Sequence, residues 1–290
     1  MNKFLALKVV LEQQNISRAA EILGYTQPAV TQMLKSLEKD CGFPLLIKNR
    51  HEIQLTANGQ KIFPIINQLI NDYQALEEQK AEINNEKAVI KLATIPSISQ
   101  QWLPKLISHF QEVYPNSEFS ILQGDYTSIP SWVENGDADI GFVNLNGDDK
   151  AGIDHFVIQN QHLRAVLPQE LAQGLPDEPL VLATLADKPY LLLEEGLFSE
   201  SLAAFKAIGL EPKVTMRLHD SLSTILMVEQ KIGYSIMPMD AETEKLYQIQ
   251  SFEIDPVISR PISLLHRPQG LLTSTAKHFI AFAQENVGGL

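Results

Sequence analysis

Apolar residues recur at helical spacing from the start of the chain. Phe4, Leu5, Leu7, Val9, Val10 and Leu11, interrupted by Lys8 and Glu12, predict a helix with one buried side. A short Ala-rich helix follows, opening near Ser17 and closing at Gly24, with the serine placed to cap and the glycine free to turn left-handed. Thr26 is the expected cap of the next helix, and Pro28 falls in its first turn, where no N–H is needed. Val30, Met33, Leu34, Leu37 and Cys41 then form one buried stripe. Gln27, Thr31, Gln32, Lys35 and Ser36 lie off that stripe and are side chains that hydrogen-bond base edges or phosphates. Two helices with this sharp turn and free polar face predict a helix-turn-helix.

Leu45-Leu46-Ile47-Lys48 and Glu52-Ile53-Gln54-Leu55 flank Asn49-Arg50-His51 and read as a small hairpin with a basic tip, a wing beside the helices. Thr56 is placed to cap a long helix. Along it Ile62, Ile66, Leu69, Tyr73, Leu76, Lys80 and Ile83 step by four and three, a heptad seam that could pack on its own domain but is expected to pair two chains. Polar Asn67, Gln68, Asn71, Asp72, Glu77 and Glu78 are expected to cover its other sides, Pro64 should bend its start, and Glu82 to Lys87 reads as a hinge. From Val89 the pattern becomes strands alternating with helices: strand Val89 to Ala93, helix Gln100 to Val113, strand Phe119 to Leu122, helix Ile129 to Glu134 and strand Ala138 to Val143. Such alternation predicts a parallel sheet covered on both faces.

The N-terminal run resembles the DNA-binding domain of LysR-type transcriptional regulators. Ser17, Ala19-Ala20, Leu23, Gln27-Pro28-Ala29-Val30, Leu37-Glu38, Gly42, Leu45, Leu55-Thr56 and Gly59 carry the resemblance. Leu46 and Lys48 stand where the family usually has Phe and Arg, and Lys48 keeps the charge but loses the bidentate fork. The runs VIKLATIPSISQQWLPKLISHF, YPNSEFSILQGDY and WVENGDADIGFV resemble the effector-binding domain of the same family, which looks like the two-lobed periplasmic solute-binding fold. The resemblance implies an α/β chain of three parts. These are a winged helix-turn-helix over 1–58, a linker helix and hinge over 59–87, and an effector domain over 88–290. Its first lobe would comprise 88–161 and 266–290, and its second lobe 162–265, including the strand ISLLHR.

The DNA contacts so implied are Arg18, Thr26, Gln27, Pro28, Ala29, Thr31, Gln32, Lys35, Lys48 and Arg50, with Ile62, Ile66, Leu69, Tyr73 and Leu76 pairing the subunits. Ligands of open α/β sheets sit at strand ends that lead into helices. That rule together with the resemblance places the effector against Thr94, Ser97, Ser99, Thr127, Gly196 and Leu197, although capping alone also accounts for Ser97, Ser99 and Thr127. Asp220 reads as a plain cap. The expected partners are an interrupted palindromic DNA operator, a small-molecule effector, further copies in a homodimer or homotetramer, and RNA polymerase.

The net charge of −12 argues at first against DNA, but its distribution does not: residues 1–60 hold 7 Lys+Arg against 5 Asp+Glu, and residues 61–290 hold 16 against 30. A head of only +2 implies that two heads share one site. The single cysteine, Cys41, lies on the buried stripe and excludes an internal disulfide. The seven histidines form no HxxxH or HxH pair, there is no Gly-rich phosphate loop and no G-x-S-x-G turn, so neither metal, cofactor nor catalysis is expected. The N-terminal apolar run lacks a small-residue cleavage site, and no run is long enough to span a bilayer, so a cytoplasmic protein without membrane contact is expected. The competing readings are a solute-binding protein, which would need export, and a two-lobed enzyme with an accessory helix-turn-helix.

Overall fold

The computed structural model describes residues 1–48, 53–84, 88–145, 153–175, 179–196 and 198–289. The chain divides into two compact units, Met1–Lys80 and Ala81–Leu290. In the first, α1 (Asn2–Gln13), α2 (Ile16–Leu23) and α3 (Gln27–Cys41) precede the strands β1 (Leu46–Lys48) and β2 (Ile53–Leu55) and the long helix α4 (Ala57–Ile83), whose last residues fall in the second unit. Ala6, Leu7, Val10, Ala19, Val30, Leu34, Leu37, Leu45 and Ile53 close a common core. The cap of α2 is Asn15, two residues ahead of the expectation: its Oδ1 accepts the amides of Ser17 at 2.8 Å and Arg18 at 3.1 Å. Ser17 is therefore inside the helix. Thr26 caps α3 through the Ala29 amide, and Gly24 and Gly42 end α2 and α3 at φ of 69° and 81°.

Two side chains tie the wing to the helices. Gln14, itself left-handed at φ 52°, accepts the Ile53 amide at 2.9 Å, and Glu38 of α3 accepts the amides of Leu45 and Leu46 at 2.8 and 3.2 Å. β1 and β2 pair antiparallel, Leu46 opposite Leu55 and Lys48 opposite Ile53. Thr56 caps α4 through the Gly59 amide at 2.9 Å. A β-carbon at Gly59 would stand 2.4 Å from the Leu45 carbonyl oxygen, so only glycine lets α4 start this close to the wing.

The second unit begins with β3 (Ala88–Thr94), α5 (Pro96–Gln100), α6 (Leu103–Val113), β4 (Ser117–Gln123), α7 (Ser128–Asn135), β5 (Ile140–Val143) and β6 (Asp154–His162). The chain then builds a second lobe from β7 (Arg164–Pro168), α8 (Gln169–Ala172), β8 (Leu180–Val181), β9 (Tyr190–Leu193), α9 (Glu200–Ala207), β10 (Val214–Leu218), α10 (Ser221–Glu229), β11 (Ser235–Met237), α11 (Ala241–Glu244), β12 (Ile249–Phe252) and β13 (Ile254–Asp255). It returns through β14 (Ser259–His266) to the final helix α12 (Ser274–Asn286).

The first lobe's sheet has the order β4-β3-β5-β14-β6. β3 runs parallel to β4 and β5, whereas β14 is antiparallel to both β5 and β6. Two expectations change here. The sheet is mixed rather than parallel, and the strand ISLLHR belongs to the first lobe, because all of β14 hydrogen-bonds beside β6 and its far half beside β5. In the second lobe β7 is flanked antiparallel by β11 and β12, and β9 pairs parallel with β10 and bridges to Tyr234. Each lobe has its own core, one around Phe110, Phe142 and Phe279, the other around Tyr190, Phe205 and Tyr234. The helix expected over Gln100 to Val113 breaks at Gln101–Trp102, where Trp102 turns inward against Phe142 with ring centroids 5.2 Å apart.

Candidate DNA-contact helix and effector cleft

The outer face of α3 is polar and open. Gln27, Pro28, Gln32, Lys35 and Ser36 are exposed, as are Arg18 and Thr26, while Ala29 is half-buried. Thr31 is also half-buried and its hydroxyl donates to the Gln27 carbonyl at 3.0 Å, so it offers its methyl more freely than its oxygen. Arg50 and the Lys48 side chain lie outside the described residues.

On α4 the expected seam divides. Ile66 is 4% exposed and packs in the head core with Ile70, and Ile62 lies against the same core. These two expected pairing residues are occupied inside their own domain, because the first turns of α4 close the underside of the helix-turn-helix. Leu69, Tyr73 and Leu76 are exposed and continue a stripe from Ile65 toward Ile83. Asn67 and Asn71, expected on the solvated sides, are buried.

In the second unit the loops after β3, β4 and β9 meet, but not as an open row of hydroxyls. Thr94 and Ser97 are fully buried. The Thr94 hydroxyl donates to the Ile95 carbonyl at 3.2 Å. Ser97 accepts from Arg260 at 2.7 Å, and its amide donates to Glu195 at 3.2 Å. Ser99 donates to the Pro96 carbonyl at 2.9 Å and accepts from Gln123 at 2.7 Å. Ser97, expected against the effector, is thus buried, with its hydroxyl oxygen on Arg260 and its amide on Glu195.

Thr127 is exposed and donates to Asp125 at 2.7 Å. The start of α7 is held by Asp125, whose Oδ1 takes the amides of Thr127 and Ser128 at 2.9 and 2.7 Å. Partial burial works to raise the Asp125 pKa, but the hydrogen bonds from Ser128 and Thr127 outweigh it and hold the carboxyl down at about 2. Gly196 packs directly on Tyr126, where a β-carbon would come within 2.8 Å of that side chain. Leu197 lies outside the described residues.

Local sequence reading did not find the centre of this region. Arg260 of β14 is buried and paired with the buried Glu195 of the second lobe. The guanidinium also donates to Tyr126 at 3.2 Å and to Gln161 at 3.0 and 2.8 Å. Burial pushes the Tyr126 phenol above its ordinary range even with the Arg260 guanidinium beside it, so it stays a neutral donor to Glu200. The available signal was a lone arginine in the strand SRPISLLH, which carries no acid of its own. Further contacts cross between the lobes: Gln101 to the Pro238 carbonyl at 3.1 Å, Gln100 to Asp220 at 3.2 Å, Lys105 to Glu242 at 2.8 Å and Asn144 to Glu200. Asp220 also caps α10 through the Ser223 amide at 2.7 Å. Beside the network an open pocket of 720 Å³ is lined by Gln123, Asp125, Thr127 and Trp132 from the first lobe and Glu194 and His219 from the second. Among the described residues no helix is long and apolar enough to cross a membrane, and no His, Cys, Asp and Glu cluster has the form of a metal site.

Comparison with known proteins agrees with both units. Residues 1–60 match the family described as bacterial regulatory helix-turn-helix protein, lysR family, and residues 84–288 match the LysR substrate binding domain. Among curated relatives, the uncharacterized HTH-type transcriptional regulator YbhD of Escherichia coli (strain K12) is 26% identical, over 97% of this chain and 90% of its own length. The Hca operon transcriptional activator HcaR of the same strain is 22% identical over 97% and 96%. Among solved structures, the LysR family transcriptional regulator CbnR is similar with a TM-score of 0.74 at 19% identity, covering 98% of both chains. Full-length CbnR complexed with its target DNA gives 0.72 at 20% identity over 98% of both. With its helix-turn-helix head and two-lobed domain both matched, this chain belongs to the LysR family and is a DNA-binding transcriptional regulator that carries an effector-binding domain.

Proposed function

We propose that this regulator reads a DNA operator through the outer face of α3, acts as a homodimer or homotetramer paired along α4, and takes its effector in the cleft between the lobes. The observation that carries the reading is on α3, a helix capped at both ends, with its apolar side in the core and Gln27, Gln32 and Lys35 exposed together. Glutamine pairs with the adenine edge, and lysine with guanine or with phosphate. Arg18 and Thr26 stand beside that face, and Pro28, Ala29 and Thr31 offer apolar contact to thymine methyls. Lys48 and Arg50 would reach the flanking phosphates from the wing.

A head carrying +2 gains little from one encounter, and the exposed stripe Leu69, Tyr73 and Leu76 supplies a means of joining two. The output is a change in DNA occupancy rather than a chemical product. It is delivered in the cytoplasm, with RNA polymerase as the further partner. The effector occupies the 720 Å³ pocket, where Thr127, Gln123 and His219 offer hydrogen bonds and Trp132 a ring face.

The test is a gel shift on DNA from upstream of the protein's own coding sequence, against a random fragment, at two salt concentrations. The upstream fragment should bind more tightly at both, and both affinities should fall as salt rises. Equal affinity for the two fragments at both salts would reject operator reading by α3.

A further inference from the structure

Arg260 lies in β14 between core residues, with its guanidinium withdrawn from water. Three of its acceptors, Gln161 Oε1, Ser97 Oγ and the Tyr126 hydroxyl, are neutral oxygens of the first lobe. The fourth is a carboxylate brought by the second lobe: Glu195 puts one oxygen on the guanidinium and the other on the Ser97 amide. A guanidinium and a backbone N–H sharing the two oxygens of one carboxylate is a strong, charge-assisted mode of carboxylate recognition. A buried guanidinium without an anion would be heavily penalised, so this position demands a negative partner. Everything but that partner belongs to the first lobe. A second buried pair among the described residues, Arg267 with Asp139 at 3.4 Å, has both members in the first lobe.

Space decides what else can enter. The void bounded by Tyr126, Leu193, Glu195 and Arg260 measures about 20 Å³, room for about one water. The Glu195 carbonyl accepts the Tyr126 amide at 3.1 Å, and Gly196 presses on the Tyr126 side chain, so the loop that carries the carboxylate is seated by its backbone as well.

We propose that Arg260, Ser97, Gln161 and Tyr126 form a carboxylate receptor on the first lobe that is filled in cis by Glu195 of the second. The cleft closes on the chain's own acid, and an external carboxylate binds Arg260 only when Glu195 is withdrawn. The regulatory consequence, that operator binding by the wild type ignores simple carboxylates, rests on the cleft being the sensor. The melting experiment below does not, so the two ideas fail separately.

The experiment is thermal melting of the full chain with sodium acetate or formate against sodium chloride at equal ionic strength. Glu195→Ala should melt roughly 6–20 °C below wild type, as expected for breaking a buried pair. Acetate and formate should raise its Tm saturably, chloride should not, and the wild type should show no saturable rise with any of them. Equal effects of acetate and chloride on Glu195→Ala, or a wild type that responds to acetate as the variant does, would overturn the proposal. Should Glu195→Ala not fold, Glu195→Gln and Arg260→Gln replace it. The double variant should then melt above the Arg260→Gln or Glu195→Gln single variant that leaves a lone buried charge, and purely additive losses would overturn the proposal.

Discussion

Gln32 and Lys35 stand three residues apart on the same exposed face of α3, yet they should fail differently. Gln32→Ala should cost about 1–3 kcal/mol of discrimination, read as the ratio of operator to random-DNA affinity. Lys35→Ala should weaken both and lower the slope of log affinity against log salt by about one unit. An unchanged ratio in the first variant, or an unchanged slope in the second, removes that residue from its role. Asp125 gives a test in pH. Its carboxyl is held at about 2 against an ordinary 3.8, so the stability it contributes is complete above about pH 4 and is lost as pH falls from there toward 2. Asp125→Asn keeps an acceptor for the α7 amides without that titration. The gap in Tm between wild type and Asp125→Asn should be larger at pH 6 than at pH 3, and a gap independent of pH would assign the cap no charge. At this scale the sequence was readable where a residue's role is local. Gly24, Thr26, Gly42 and Thr56 cap or terminate as their types require, and the one slip, Ser17 for Asn15, is a choice between two capping residues two positions apart.

Periodicity located the elements and the buried face of α3, but not the face that α4 buries. On α4 a heptad seam through Ile62, Ile66, Leu69, Tyr73 and Leu76 merges two stripes that the fold separates: Ile66 with Ile70 inside the head, and Leu69, Tyr73 and Leu76 outside it. A stripe's partner is a tertiary fact, and the helix repeat is the same for a domain core and for a subunit seam. The division predicts opposite phenotypes. Leu69→Glu or Leu76→Glu should yield monomers by light scattering that melt near wild type and bind DNA poorly. Ile66→Ala should cost about 2–5 kcal/mol of head stability and leave the assembly state unchanged. Monomers from Ile66→Ala at a temperature where the head is folded, or dimers from both charged variants, would reverse the assignment. The break at Trp102 has a similar origin: the pattern from Gln100 to Val113 is continuous, but packing Trp102 on Phe142 ends one helix and begins another.

For the whole molecule, what local pattern leaves unread is pairing across distance. Glu195 and Arg260 are 65 residues apart, and Ser97 and Arg260 163, so no window of sequence contains the network that fills the base of the cleft. The same gap hid the placement of β14, whose partners β5 and β6 lie far upstream. The structure therefore splits the residues expected to meet the effector into two groups with separable consequences. Thr127 faces the open pocket, and its hydroxyl keeps acceptor capacity while it donates to Asp125. Ser97 is sealed beneath, committed to Arg260 and Glu195. An effector identified by thermal shift from a metabolite collection can be titrated against operator binding in both variants. Thr127→Val should move the half-response to roughly two- to tenfold higher concentration, the loss of one neutral hydrogen bond, with little change in Tm. Ser97→Ala should lower Tm, because a buried guanidinium loses an acceptor, and leave the half-response near wild type. Coupling between the sites is reciprocal, so saturating operator must shift effector affinity by the same factor by which effector shifts operator affinity, in wild type and Thr127→Val alike. If Ser97→Ala moves the half-response and Thr127→Val does not, the effector reaches the Arg260 network instead of the open pocket, and the site placed here is the wrong one.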